Sequence, residues 1–274
     1  MTVKYEALRG LTEQSETATY EGVDAYPFFE RHFGRTAPDW SAFYQQVDEL
    51  HQKHGDVRVF FLARHGQGKP SCLHNVVRDA VGAEAWEGKI SRQREYNGAT
   101  FAPDPPLSTK GEGDADRIAA AWNAETGAGL AIPDSFYASP MQRACQTLQR
   151  TWHELVPDVS PLIIEGLRER LGINLCDARS TRTVIAQRFP TFRFEPGFVE
   201  DDELFQPDHR ETFAEMDVRL RAALDSIVAQ DDARFISITA HDEAINSVCR
   251  VTGHVPRYLQ PGEMLPVVVA IRRS

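Results

Sequence analysis

The stretch Arg64-His65-Gly66-Gln67-Gly68 is the part of this chain best equipped for chemistry. Arg64 supplies a permanent cation whose planar donor fork suits phosphate or carboxylate. A histidine beside that cation is held toward its neutral form, in which a ring nitrogen carries a lone pair able to attack an electrophile. Gly66 and Gly68 allow a sharp turn and a close backbone approach to a ligand. Taken alone, the stretch is equally compatible with an ordinary strand-to-loop turn, because short motifs match by chance. The residues before it say where it sits. Val57–Ala63, VRVFFLA, has six apolar residues in seven and no Gly or Pro, the composition of a strand buried on both faces. Ligands of open α/β sheets bind just beyond the carboxyl ends of such strands.

Three more polar residues fall in comparable places. A second strand, Ile132–Ser139, is followed by Pro140-Met141-Gln142-Arg143, which puts Arg143 in the first turn of a helix reaching about Leu155; proline suits that position. A very short third strand, Pro161–Glu165, runs into Gly166-Leu167-Arg168-Glu169. A fourth, Phe235–Ala240, runs into His241-Asp242 and a helix from Glu243 to about Thr252. Alternating strands and helices predict a mostly parallel sheet, and parallel strands bring these ends to one edge. Arg64, His65, Arg143, Glu169 and His241 are therefore expected together. Each has a plainer reading alone: Arg143 as a surface cation, Glu169 as part of a solvated helix start, His241 as a satisfied core histidine.

The rest of the chain supplies the frame. Trp40–His54 carries Trp40, Phe43, Tyr44, Val47 and Leu50 on one helical face, with Asp39 as N-cap and Gly55 as stop. Before it, residues 1–40 are polar with aromatics at Tyr20, Tyr26, Phe28, Phe29 and Phe33, which predicts an extended arm packed on the core. Asn75–Pro106 is irregular, contains Trp86, Tyr96 and Phe101, and suits an insertion near substrate. A helix is expected from Leu107-Ser108-Thr109 to about Gly127, another over Thr212–Val228, and a last strand over Leu265–Ile271.

The 274 residues are 42% hydrophobic and 26% charged, ordinary for a soluble globular protein. A formal charge of −10 argues against a nucleic-acid or anionic-membrane partner, so an anionic substrate needs a local pocket of cations. The N-terminus lacks the apolar segment of a signal peptide, and no apolar run reaches membrane-spanning length. Cys72, Cys145, Cys176 and Cys249 are widely spaced and read as reduced thiols of a cytoplasmic protein rather than a zinc site or a disulfide frame.

The ordered set LARHGQG…HN (Leu62–Asn75), PLSTKG (Pro106–Gly111), ASPMQRACQT (Ala138–Thr147), LRERLG (Leu167–Gly172), CDAR (Cys176–Arg179) and ITAHDEAI (Ile238–Ile245) resembles the histidine phosphatase superfamily, which contains the cofactor-dependent phosphoglycerate mutases. Within it, the chain is most similar to the fungal phosphoglycerate mutase-like phosphatases. The resemblance implies an α/β fold, a three-layer α/β/α sandwich with a mostly parallel central sheet, plus an N-terminal arm and insertions capping the active site. The expected organisation is a single domain over 1–274, residues 1–56 forming the arm and the helix packed on it. The resemblance further implies that His65 is a nucleophile that becomes transiently phosphorylated. Arg64, Arg143 and His241 would complete the phosphate pocket, with Asn75 as a further donor and Glu169 as proton donor and later base. The expected activity is a metal-independent phosphomonoesterase acting on a small phosphorylated metabolite, with no cofactor. The alternative is a scaffold turned to acid–base chemistry, as an isomerase or dehydratase, on a metabolite lacking phosphate, or to binding without catalysis.

The family pattern is broken in two places. Lys69-Pro70-Ser71-Cys72-Leu73 separates Gly68 from His74-Asn75, where the family has closer spacing; this shifts Asn75 away from the phosphate or brings Lys69 toward it. His241 is followed by Asp242 and Glu243, where mutase-like members often have a small residue. The acid phosphatase branch of the superfamily has a His-Asp pair whose Asp supplies the leaving-group proton, and that resemblance makes Asp242 a rival to Glu169 as acid; otherwise it and Glu243 cap a helix and favour its dipole. The acidic stretch Glu195–Asp208 reads as a solvated loop or a lid.

Overall fold

The computed structural model describes residues 3–18, 28–68, 82, 85, 90–96, 99–100 and 102–273. In chain order its elements are β1 (Val3–Ala7), α1 (Trp40–His54), β2 (Asp56–Arg64), β3 (Glu95–Tyr96), β4 (Ala99–Thr100), α2 (Thr109–Gly127), β5 (Ser135–Ala138), α3 (Gln142–Trp152), β6 (Leu162–Ile163), α4 (Arg182–Arg188), β7 (Arg193–Phe194), α5 (Phe213–Gln230), β8 (Phe235–Ala240), α6 (Asp242–Thr252) and β9 (Met264–Arg273). Seven strands form one sheet in the order β1-β9-β2-β8-β5-β6-β7, and β3 pairs with β4 separately.

The apolar run identified in the sequence is β2, near the middle of the sheet. Successive side chains of a strand point to opposite faces, and here they enter two different cores. Val57, Val59, Phe61 and Ala63 pack with Trp40, Phe43 and Val47 of α1, Ile118 and Trp122 of α2, and Leu148 and Trp152 of α3. Phe60 and Leu62 pack with Met216, Leu220 and Leu224 of α5 and Ile245 and Val248 of α6. Both faces of the strand are therefore apolar from Val59 to Ala63, and the buried Arg58 before them is held by Asp56. The result is the expected α/β/α sandwich.

β2, β8, β5, β6 and β7 are mutually parallel, with Arg64 opposite Ala240 and Ala138 opposite Thr239. This register puts the carboxyl ends of β2, β8 and β5 at one level of one edge. The last strand runs the other way: β9 is antiparallel to β2, pairing Phe60 with Val267. The N-terminal arm begins as a strand rather than only packing over the core, β1 pairing antiparallel with β9. Its five residues alternate between half-buried and exposed inside an otherwise polar segment, a weak strand signal. The second and third strands are shorter than expected; β7 has two ladder residues, which leave no readable period, and α4 is only two turns long. The helices follow their sequence signals. Asp39 accepts from Ala42 N at 2.8 Å at the start of α1, and Thr212 and Glu215 form a reciprocal capping box at the start of α5.

Lys69–Leu73 and Asn75 lie outside the described residues, as do Trp86 and Phe101 of the Asn75–Pro106 insertion. The described part includes the β3–β4 pair and residues 90–96, which lean on the segment after Gly172: Leu175 N donates to Ser91 O at 3.2 Å, and Arg92 meets Asp208 at 3.3 Å.

Candidate active site

His65 is the first residue beyond β2. Its N–H donates to Ala240 O at 3.1 Å, at the end of β8, and its carbonyl accepts from Gly262 N at 3.2 Å. The turn that follows is packed backbone to backbone. A Cβ on Gly66 would lie 2.2 Å from Gly111 O, and one on Gly111 would lie 2.0 Å from Gln67 O. Glycine is required at both for this close approach, which seats the His65 turn on the first turn of α2. Gly66 N donates to Thr147 Oγ1 at 3.0 Å, and the same hydroxyl donates to Arg143 O at 2.8 Å. Thr147 thus ties the histidine turn to the first turn of α3. Asp104 fixes the start of α3, accepting from Gln142 N at 2.6 Å.

A hydrogen bond to a carbonyl assigns the tautomer of His65. His65 Nδ1 lies 2.6 Å from Gly66 O; a carbonyl only accepts, so Nδ1 carries the proton and Nε2 the lone pair. Arg143 Nε donates to that Nε2 at 3.3 Å. His241 sits 4.8 Å from His65 between ring centroids, tilted by 65°. Its Nε2 lies 2.8 Å from Ser139 Oγ, whose lone pairs also face Met141 N at 3.4 Å. His241 Nδ1 and Arg64 Nε are buried with no hydrogen-bond partner among the described residues.

Both histidines are held neutral. Burial lowers the affinity of His65 for a proton well below the ordinary range, and Arg143 and Arg64 lower it further. His241 is lowered by burial, then by Arg143 and His65. Arg64 lies 3.8 Å from Asp242, donates to Leu259 O, and its guanidinium is 5.6 Å from the ring centre of Tyr258. Arg143 is 5% exposed. Two arginines and two neutral rings thus converge, and among the described residues no carboxylate is hydrogen-bonded to either imidazole, an arrangement suited to an anion.

Glu169 lies after β6, half-buried, with its carboxylate accepting from Arg170 N at 2.9 Å. Burial, then the charges of Glu243 and Asp177, push its pKa up to about 8. Glu243 is also raised, mainly by burial, although Arg210 lies 3.9 Å from it. Asp242 is engaged elsewhere: its Oδ1 accepts from Leu259 N at 2.9 Å and faces Arg64. Both residues occupy the first turn of α6, where the helix dipole favours acids, but Asp242 braces the turn before β9 rather than capping its own helix.

Sequence reasoning thus brought Arg64, His65, Arg143 and His241 into one cluster, and Glu169 to the same edge. It missed the supports. Ser139, Thr147, Asp177, Arg168 and Arg210 were not singled out, although Ser139 follows a strand as His65 does. Part of the Glu195–Asp208 stretch is anchored rather than solvated. Asp202 accepts from Arg168 Nη1 and Nη2, each at 2.7 Å, and from Arg179 N at 2.8 Å. The Arg179 guanidinium donates to Val199, Glu200 and Asp201 carbonyls.

The profile of the Histidine phosphatase superfamily (branch 1) matches residues 60–260, a span containing all of these residues. The chain belongs to this superfamily. Among curated superfamily relatives, a "Probable phosphoglycerate mutase" of Arthroderma benhamiae is 36% identical over 243 residues, covering 86% of this chain and 71% of the relative. A "Probable phosphoglycerate mutase" of Saccharomyces cerevisiae is 31% identical over 256 residues, covering 85% of each. Both are fungal, as the motif set implied. Among solved structures, phosphoglycerate mutase from Bacillus anthracis aligns with 79% of this chain and 90% of its own, at 15% identity and a TM-score of 0.49. No described helix of this superfamily member is long and apolar enough to cross a membrane.

Proposed function

We propose that the protein is a phosphomonoesterase acting on a small phosphorylated metabolite through a phosphohistidine at His65. The observation that carries this reading is the convergence on His65 Nε2: a lone pair held in place by the Nδ1–H bond to Gly66 O, beside Arg143 Nε and two buried nitrogens without a partner among the described residues, Arg64 Nε and His241 Nδ1. Buried donors without partners are costly, and the equatorial oxygens of a phosphoryl group satisfy such donors. They also stabilise the charge of the transition state in a site where water is excluded.

In the first step His65 Nε2 attacks phosphorus, the P–O bond to the alcohol breaks, and Glu169 gives its proton to the departing oxygen. The high proton affinity of Glu169 keeps it loaded near neutral pH. In the second step the Glu169 carboxylate takes a proton from water as that water attacks the phosphohistidine. Inorganic phosphate leaves and His65 returns to its neutral form. By the family resemblance Asn75 would be a further donor to the phosphate.

A second reading, phosphoglycerate mutase, is favoured by the names of the fungal relatives. Phosphoryl transfer to a second hydroxyl would then replace the step with water. Incubating wild type and His65→Ala with an aryl phosphate in EDTA, and wild type with 3-phosphoglycerate, separates the readings. Release of inorganic phosphate by wild type alone is expected. Interconversion of phosphoglycerates without phosphate release would favour the mutase. Absence of any binding of phosphate, vanadate or tungstate would reject both in favour of chemistry on an unphosphorylated metabolite.

A further inference from the structure

Asp177 stands where three segments meet beside the histidine pair, and no step above uses it. It closes the short turn Leu175–Asp177 and is 5% exposed. Its Oδ1 accepts from Arg143 Nη2 at 3.2 Å and its Oδ2 from Arg210 Nη1 at 3.1 Å. One buried carboxylate therefore bridges the arginine that faces His65 to an arginine just before α5. The backbone of the same turn is held as well. Arg143 Nη1 donates to Cys176 O at 3.0 Å, and Arg168 Nη2 to Asp177 O at 2.6 Å. Arg168 is the chain neighbour of Glu169 and grips Asp202 with the same guanidinium. Arg210 also donates to Arg170 O at 2.8 Å and Gly172 O at 2.9 Å, clasping the Glu169 segment.

We propose that Asp177 is a positioning residue: it fixes the plane of the Arg143 guanidinium so that the Nε edge meets His65, and through Arg210 it couples that arginine to the Glu169 segment. With Nη1 and Nη2 held by the turn, the guanidinium has one orientation and its Nε–H is directed at the ring nitrogen. A neutral amide at position 177 offers one acceptor oxygen where the carboxylate offers two, so it cannot hold both arginines alike. The charge matters separately. Asp177 is among the anions that raise Glu169, after burial and Glu243, whereas Arg210 is drawn to Asp177, Glu243 and Glu169. The two partners thus act on Glu169 in opposite senses.

The proposal rests on the phosphoryl-transfer reading, and its test separates the two. Asp177→Asn and Arg210→Gln are made in the full chain, with pH–rate profiles on a nitrophenyl and an alkyl phosphate and thermal melts to check folding. Asp177→Asn is expected to lose on the order of 10–10²-fold in kcat, the scale of a misplaced catalytic group, with a smaller change in KM. On the alkyl ester its alkaline limb in kcat/KM moves to lower pH, and that of Arg210→Gln moves to higher pH. A folded Asp177→Asn with unchanged kcat and limb, or two variants that move the limb the same way, overturns the proposal. If Asp177→Asn does not fold, the direction of the Arg210→Gln limb decides. If wild type hydrolyses no phosphomonoester, the functional reading fails while positioning is read from the His65 titration by ring-nitrogen NMR. Freeing Arg143 should raise the midpoint of His65, and an unchanged midpoint overturns the proposal.

Discussion

Glu169→Gln removes a proton donor while keeping the shape of the side chain, so it isolates the acid role. Wild-type Glu169, with a pKa of about 8, keeps its proton in roughly nine-tenths of molecules at pH 7. On an alkyl phosphate, whose alkoxide cannot leave unprotonated, loss of that donor should cost about 10²–10⁴-fold in kcat. On nitrophenyl phosphate, whose leaving group departs as an anion, the loss should stay below about tenfold. The pH dependence has a definite sign: wild-type kcat/KM on the alkyl ester falls as pH rises through about 8, and the variant lacks that limb. Because bound phosphate adds negative charge near Glu169, the kcat limb should lie above the kcat/KM limb. Stability supplies an independent check. Between about pH 4.5 and 8 folded Glu169 retains a proton that the unfolded chain has released, so it costs stability as pH rises. Discounted for partial exposure and for charge shared with Glu243, the cost is on the order of 1–3 kcal/mol. Glu169→Gln should therefore melt higher than wild type at pH 8 and converge with it near pH 4. Stopped assays on both esters over pH 5–10, with melts at the same points, make the measurement. Equal slowing on both esters, or a large leaving-group-dependent loss in Asp242→Asn beside a near-normal Glu169→Gln, would refute the assignment.

Other variants probe the rest of the site. Arg143→Lys replaces the fork that meets His65 with a point charge, and should cost about 10²–10³-fold in kcat/KM with weaker tungstate binding by calorimetry; wild-type affinity would count against its place in the pocket. Gly66→Ala sets a methyl 2.2 Å from the Gly111 carbonyl, and a loss of about 1–3 kcal/mol is expected from denaturant melts. An unchanged midpoint would mean that the two turns separate freely. The neutral histidines give an acid limb of stability: below about pH 6.5 the unfolded chain binds protons that His65 and His241 refuse, at about 1.4 kcal/mol per pH unit for each. The double variant His65→Gln/His241→Gln should show a shallower fall in melting temperature from pH 6.5 to 5 than wild type, and an equally steep fall would contradict the neutral assignment.

The sequence carried the cluster because the signals for it are local and strong. A run apolar on both faces marked β2, which Arg64 closes, and each of His65, Arg143 and His241 follows a strand by one to five residues. Register did the rest, since parallel pairing of Arg64 with Ala240 brings those ends level. What could not be read were relations between distant, unpatterned segments. β7 has two ladder residues, too few for a period. The Asp177 bridge joins residues 33 and 34 positions apart, and nothing in Cys-Asp-Ala-Arg says that its aspartate meets two arginines. The surroundings that distinguish Glu169 from Asp242 are likewise a matter of packing: Asp242 faces Arg64 and the turn before β9, whereas Glu169 is half-buried among acids.

The most direct test of the central claim is to mix wild type with a 32P-labelled alkyl phosphate, quench within milliseconds into alkali, and locate the label by peptide mass spectrometry. The account predicts an acid-labile, alkali-stable phosphoryl group on His65, formed at least as fast as turnover and absent from His65→Ala, which should also lose steady-state activity. Turnover with no label on His65, or a His65→Ala variant as fast as wild type, would contradict it.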